Sequence, residues 1–149
     1  MPSLDHTDQP GQRALSIRQP WAELILCGRK TIELRTWSTN YRGALWLHTG
    51  QKQDPELEQH FEFQNLFHGG FVGQVVVSSV LRFDKDRWER WRRLHLSEGP
   101  MPPEVYGWIL RDPIRFAQPL PAPGSLGVFT PSPETQRALR EAMSKQEKR

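Results

Sequence analysis

The run Phe71–Val80 constrains the fold more than any other part of this sequence. It contains five valines, and residues of this kind favour extended strands. Apolar side chains occur on both faces of the run, which predicts a central strand covered on both sides. Gly73 interrupts it, and a glycine inside a strand often marks a bend or a bulge. The rest of the chain must therefore build a sheet around this strand.

Short predicted helices and strands alternate on either side of it. Pro20 suits the first turn of a helix and Gly28 its C-terminal cap, which predicts a first helix over Pro20–Cys27. Alternation over Thr31–Trp37 predicts a strand with one apolar side, and Asp86–Glu89 has the spacing of an acidic capping box. Further strands are predicted over residues 14–17, 44–49, 106–110, 114–117 and 126–130, and further helices over 55–66 and from about 87. This order does not fit repeated βαβ units, so we expect an α+β fold: a small mixed β-barrel with short flanking helices.

A chain of 149 residues fits one domain with its own core. We divide it into a flexible leader at residues 1–13, a folded domain at 14–133, and a basic C-terminal helix or tail at 134–149. No apolar run approaches the roughly 20 residues that span a membrane, and no signal-like stretch is present. The lone Cys27 excludes an internal disulfide. A cytoplasmic protein is therefore expected.

Charge and composition exclude several classes of site. The net charge of +3 is compatible with a polyanionic partner, although dedicated duplex-binding proteins usually concentrate more positive charge on one face. The five histidines are scattered without paired ligand spacing, and one cysteine cannot build a structural zinc site. Phosphate-loop and dinucleotide glycine fingerprints are missing. We therefore expect no metal and no cofactor.

Short motifs around the first predicted helix carry a family resemblance. The pattern Gly-x-Lys-x-x-Glu-x-Arg is formed by Gly28, Lys30, Glu33 and Arg35. In chain order, the other matches are Gln19–Ala22 before it, then Tyr41–Gly43, Gly73, Trp108–Leu110, and Gly124-x-x-Gly127-x-Phe129. The collinear set, over about residues 14–131, resembles the coactivator-like branch of the ASCH family.

The resemblance implies a PUA-like barrel with a ligand cleft beside the first helix. The expected function is binding of single-stranded RNA or a nucleotide-like ligand, by a protein that acts as a monomer. The candidate ligand-binding residues are Arg18, Gln19, Lys30, Glu33, Arg35, Trp46 and His48.

These residue types suit a nucleotide. An arginine takes a phosphate in fork geometry, a lysine acts as a point charge, and a carboxylate accepts from an exocyclic amine. Strand alternation puts Glu33 and Arg35 on one side, where they could instead simply pair with each other. Trp46 fits either the cleft or the core. Ser16 lies where the first strand meets the helix, and its hydroxyl could merely satisfy a backbone group.

Two other functions remain open. The first is a small amidohydrolase acting on acylated nucleosides, with a desolvated Lys30 as base and Glu33 as its acidic partner. The hydrolase branch that this resembles has threonine at the position of Glu33, which argues against this function. The second and weaker alternative is a protein-interaction module, which the coactivator-like resemblance alone suggests.

Overall fold

Residues 11–147 are described by a computed structural model of the chain, so most of the predicted leader and the last two residues lie outside the described part. The strands are β1 (Ala14–Ser16), β2 (Ile32–Arg35), β3 (Gly43–Thr49), β4 (Gly70–Arg82), β5 (Tyr106–Pro121) and β6 (Val128–Phe129). The helices are α1 (Trp21–Leu26), α2 (Pro55–His60), α3 (Lys85–Arg90), α4 (Arg92–His95) and α5 (Pro133–Glu147). Within residues 11–147, no helix combines the length and apolar character needed to cross a membrane.

The six strands form one mixed sheet in the order β2-β5-β4-β3-β1-β6. β1 pairs with β3 in parallel, and the other neighbours are antiparallel. β4 lies inside the sheet between β3 and β5, as its apolar sequence predicts. The sheet curls into a half-barrel with short helices around it, which confirms the expected α+β, PUA-like fold.

Gly73 marks an irregular step in the sheet. The registers of β4 against β3 and against β5 both shift between Phe71 and Gly73, which is the bulge that the glycine predicted. A Cβ atom at Gly73 would overlap the carbonyl oxygen of Ile114 on β5. Only glycine therefore allows β5 to approach β4 this closely.

The helices cover the sheet with three apolar clusters. α1 contributes Ala22, Ile25 and Leu26 to the largest cluster, beneath the sheet. α3 is anchored through Trp88. α5 docks through Leu139, which is fully buried against Trp46, Phe71 and Phe116. The C-terminal segment is therefore a packed helix in the described part of the chain.

The bounds of several predicted elements differ from those in the structure. The helix expected over residues 55–66 ends at His60, because Glu62 and Asn65 adopt left-handed backbone conformations. The two strands expected over 106–110 and 114–117 are one strand, β5, with an irregular step at the intervening residues. The capping box at Asp86–Glu89 was wrong: Asp84 accepts the hydrogen bond from Arg87 N, so α3 begins earlier.

Candidate functional site

Three charged residues of the predicted motif form a continuous chain of contacts, which we call the charge chain: Lys30, Glu33 and Arg35. One carboxylate oxygen of Glu33 lies 3.9 Å from Lys30 Nζ, and the other lies 3.0 Å from Arg35 Nε. The side chains of Lys30 and Glu33 are 2% and 9% exposed, whereas that of Arg35 is 23% exposed. The chain of charges therefore begins in the interior and reaches the surface only at Arg35.

Lys30 is held in the interior by its backbone and by its ammonium group. Its backbone N–H donates to Leu24 O as the chain leaves α1. Its Nζ donates to the carbonyl of His95 at 2.6 Å and lies 4.8 Å from the centre of the Trp21 ring. Burial lowers the pKa of Lys30 from 10.5 to about 8; the Glu33 carboxylate opposes this lowering and the Arg35 charge adds to it.

Arg35 is fixed by two neighbours. Its Nε faces Glu33 without the alignment of a hydrogen bond, and its Nη2 donates to the carbonyl of Ser16 at 2.8 Å. β2 positions the guanidinium, since strand alternation puts Glu33 and Arg35 on the same side. The pairing of these two residues, one of the alternatives from the sequence, is thus present, and it leaves Arg35 partly exposed.

Arg35 opens onto a cavity of about 440 Å³ that we call the glycine-loop cleft. The cleft is lined by Ser16, Arg35, His48, Gly50 and the loop 124–127. Gly124 lies directly on the imidazole of His48, where a Cβ atom would overlap the ring. The loop can therefore approach the histidine only because this position has no side chain.

His48 is buried and bonded at both ring nitrogens. Its Nε2 lies 2.9 Å from the carbonyl of Ala122, and its Nδ1 lies 2.9 Å from Ser16 Oγ. Because a carbonyl can only accept, Nε2 carries the proton and Ser16 donates to Nδ1. Burial lowers the pKa of His48, with the Ala122 carbonyl opposing it. The imidazole is therefore neutral around pH 7.

A second cavity, of about 460 Å³, lies beside α1, and we call it the helix pocket. Its aromatic wall consists of Trp21 and Phe61, whose rings meet edge to face at 5.6 Å. The remaining walls come from α2 and from the residues after α4: Asp54, Glu56, Leu57, His60, Leu96, Ser97 and Glu98. Lys30 lies next to two parts of this pocket. Its Nζ faces the Trp21 ring and donates to the carbonyl of His95, the residue before Leu96.

The other sequence-predicted site residues are distributed more widely. Arg18 is exposed and lies 3.8 Å from Asp54 at the edge of the helix pocket. Gln19 is buried, where its side chain accepts from Glu23 N and donates to Phe67 O. Trp46 is buried in the cluster under α5, and its indole donates to Gln136 at 3.0 Å. Of the predicted set, Arg35 and His48 line the glycine-loop cleft together, while Gln19 and Trp46 support the surrounding structure.

Two features of the cleft, Ser16 and the loop 124–127, were underestimated from the sequence. Ser16 lies directly opposite His48 in the parallel pairing of β1 with β3, a pairing between distant segments that periodicity does not reveal. The loop did leave a signal, since Gly124 and Gly127 are part of the late glycine motif. In the part of the chain that the structure describes, no group of three potential metal ligands comes together.

A curled mixed sheet with a small polar cleft beside β1, β2 and β3 defines the class of this protein: a PUA-like α+β domain. The sequence model of the ASCH domain matches residues 15–120. The chain therefore belongs to the ASCH domain family.

Similarity to individual proteins supports this assignment at two levels. A segment of 47 residues, or 31% of the chain, is 45% identical to Activating signal cointegrator 1 from mouse and from human, and it spans 8% of the length of those relatives. The crystal structure of ASCH from Zymomonas mobilis is similar with a TM-score of 0.64 at 14% identity, covering 89% of this chain and 96% of that one. A mutant of the same bacterial protein gives a TM-score of 0.62 at 15% identity, covering 87% and 96%. At such identities, the structural likeness establishes the fold.

Proposed function

We propose that this ASCH domain binds single-stranded RNA or a nucleotide-like ligand, with a phosphate at Arg35 in the glycine-loop cleft. The observation that carries the proposal is the position of the guanidinium at the mouth of the cleft. Glu33 and the Ser16 carbonyl fix one side of it, and its partial exposure leaves the other side accessible. A guanidinium held in this way is ready to bind a phosphate, because little side-chain freedom is lost on binding.

The shape of the cleft favours a single strand or a mononucleotide over a duplex. A cavity of about 440 Å³ accommodates one nucleotide, whereas duplex recognition requires an extended basic face. The loop 124–127 contributes two glycines to the wall, so a ligand can approach the backbone closely. The net charge of +3 gives a modest general attraction for a polyanion.

Fluorescence anisotropy with a short labelled oligoribonucleotide tests this proposal. Arg35→Ala should weaken binding by about 10- to 150-fold, the equivalent of one lost hydrogen-bonded charge contact. The matched control is Arg111→Ala, since Arg111 is exposed on the surface and pairs with the adjacent Asp112. Affinity for the wild type should also fall as salt rises from about 50 to about 200 mM, as for any phosphate-dominated complex.

Equal binding by Arg35→Ala and Arg111→Ala would contradict the role of the cleft. If the wild type binds neither the oligoribonucleotide nor cytidine monophosphate, the proposal as a whole is contradicted. Melting curves of both variants ensure that a loss of binding is not a loss of folding.

A second candidate function, hydrolysis of acylated nucleosides, is favoured by the state of Lys30. An ammonium group whose pKa is lowered to about 8 is deprotonated in an appreciable fraction near neutral pH and can act as a base. Incubation with acetylated cytidine, followed by product analysis over time, tests it. Multiple turnovers by the wild type that Lys30→Ala abolishes would establish the hydrolase; a lack of acetate release would leave binding as the function.

A further inference from the structure

We propose that Ser16 and His48 form a nucleophile–base pair that hydrolyses small carboxylic esters in the glycine-loop cleft. The proposal goes beyond ligand binding and does not depend on it. It uses neither Lys30 nor Glu33 as a reacting group, so it is also distinct from the acylated-nucleoside hydrolase considered above.

The geometry matches the arrangement that activates a serine. A nucleophilic hydroxyl needs a base within hydrogen-bond reach, and the base needs a third group that fixes its orientation. Ser16 Oγ lies 2.9 Å from His48 Nδ1, and the Ala122 carbonyl holds His48 Nε2 at 2.9 Å. Ser16 and His48 extend from β1 and β3, and Ala122 directly follows β5, so the sheet positions all three groups.

The surroundings keep His48 in the form that a base requires. Its ring packs edge to face against Phe71 and Phe129 and is covered by Gly124. This apolar enclosure disfavours the imidazolium, so Nδ1 is free of a proton and available to receive one. Ser16 is only partly buried and lines the cleft, so its hydroxyl can meet a substrate.

Arg35 supplies the third requirement, a positive group for the charge that develops during the reaction. Its guanidinium lines the same cleft and already donates to the carbonyl of Ser16. An oxyanion formed at the acyl carbon attached to Ser16 Oγ would lie in the same small cavity as this guanidinium. Electrostatic stabilisation of such an oxyanion is commonly a large part of the catalysis of acyl transfer.

The reaction balances with water as the only co-reactant. Ser16 Oγ attacks the acyl carbon while its proton passes to His48 Nδ1, and the intermediate collapses as the C–O bond to the alcohol breaks and Nδ1 returns the proton to the leaving oxygen. Water then attacks the acyl-Ser16 ester by the same route and releases the carboxylic acid. Nε2 keeps its proton throughout and donates it in a hydrogen bond to the Ala122 carbonyl.

A small alkyl fluorophosphonate tests the pair directly, because an activated serine displaces the fluoride and retains the phosphonyl group. Intact-mass measurement and peptide mapping of the wild type should show one adduct, at Ser16. The adduct should be absent in Ser16→Ala and unchanged in the matched control Ser78→Ala, since Ser78 is an exposed hydroxyl on β4 that donates to Ile109 O. His48→Gln should slow labelling by about 100-fold or more.

The hydrolytic step is tested with p-nitrophenyl acetate. Turnover should be lost in Ser16→Ala and retained in Ser78→Ala. A wild type without an adduct at Ser16, or turnover that Ser16→Ala leaves unchanged, would overturn the proposal. The mapped adduct on the wild type decides the matter even if His48→Gln does not fold, and none of these results depends on whether the domain binds RNA.

Discussion

The helix pocket and the glycine-loop cleft are nearly equal in size but differ in chemistry. The helix pocket, of about 460 Å³, combines an aromatic wall with the carboxylates of Asp54, Glu56 and Glu98. The glycine-loop cleft, of about 440 Å³, combines Arg35 with the hydroxyl of Ser16 and the neutral imidazole of His48. The guanidinium in the cleft is held by Glu33 and by the Ser16 carbonyl, whereas Arg18, at the edge of the helix pocket, is exposed and pairs with Asp54 at 3.8 Å. Cavity volume alone therefore does not distinguish the proposed phosphate site from the helix pocket.

The charge chain connects these two regions, because Lys30 faces the Trp21 ring of the helix pocket and Arg35 lines the cleft. Glu33 contacts Lys30 with one oxygen and Arg35 with the other. Toward the helix pocket the chain ends in a buried ammonium, and toward the cleft it ends in a partly exposed guanidinium. The Lys30 end is expected to determine stability, and the Arg35 end to determine binding. Substitutions at each end of the charge chain test this division.

The largest effect is expected from Glu33→Gln. This change leaves Lys30 as a buried charge without its partner, and breaking a buried pair in this way typically costs about 3–5 kcal/mol. The free energy of unfolding, measured by chemical denaturation at pH 7, should fall by this amount. The matched control is Glu104→Gln, since Glu104 is half exposed and pairs with Arg82 at 4.0 Å; an exposed pair contributes about 1 kcal/mol or less. Equal losses in the two variants would show that burial of Glu33 adds nothing.

A smaller effect should follow the titration of Lys30. The pKa of Lys30 is about 8 in the folded protein, whereas an ordinary lysine, as in the unfolded chain, has a pKa of 10.5. Between these values the unfolded chain binds more protons than the folded protein, so the free energy of unfolding should increase with pH. A shift of this size corresponds to at most about 3 kcal/mol across the window.

Lys30→Met isolates this contribution, since it removes the titrating group and keeps most of its volume. The stability of the wild type relative to Lys30→Met should increase as pH rises from about 8 to 10.5 and should be constant below that range. A difference that stays constant across the whole range would mean that Lys30 titrates as an ordinary lysine.

The fold could be predicted from the sequence because its main signals are local. The valine-rich run predicted β4, and Gly73 predicted the bulge within it. The boundaries of the elements were harder to predict. The helix α2 ends before Glu62, which adopts a left-handed backbone conformation that its residue type does not indicate. The continuity of β5 through Asp112 also depends on its pairing with β4 rather than on local propensity.

The candidate site was predicted only in part, for a physical reason. Alternation along β2 correctly implied that Glu33 and Arg35 share a side, but periodicity within one strand cannot show how deeply Lys30 is buried. Burial of Lys30 depends on α4, whose His95 carbonyl accepts a hydrogen bond from it across 65 residues of sequence. The meeting of Ser16 with His48 likewise depends on the parallel pairing of β1 with β3, which requires the complete topology.

The smallest effect is expected from Gly124→Ala, which tests the cleft without removing a charge. The added methyl group would overlap the imidazole of His48, so either the loop or the ring must shift. Because the loop is exposed and can yield in part, the cost should be about 1–3 kcal/mol, as for other overpacked sites. Gly50→Ala is the matched control: Gly50 lines the same cleft, but a Cβ atom there meets nothing within 4 Å. The His48 ring resonances in a two-dimensional NMR spectrum should move in Gly124→Ala and stay in place in Gly50→Ala. If both variants match the wild type in stability and in these resonances, the loop does not press on His48, and the cleft is more open than the structure indicates.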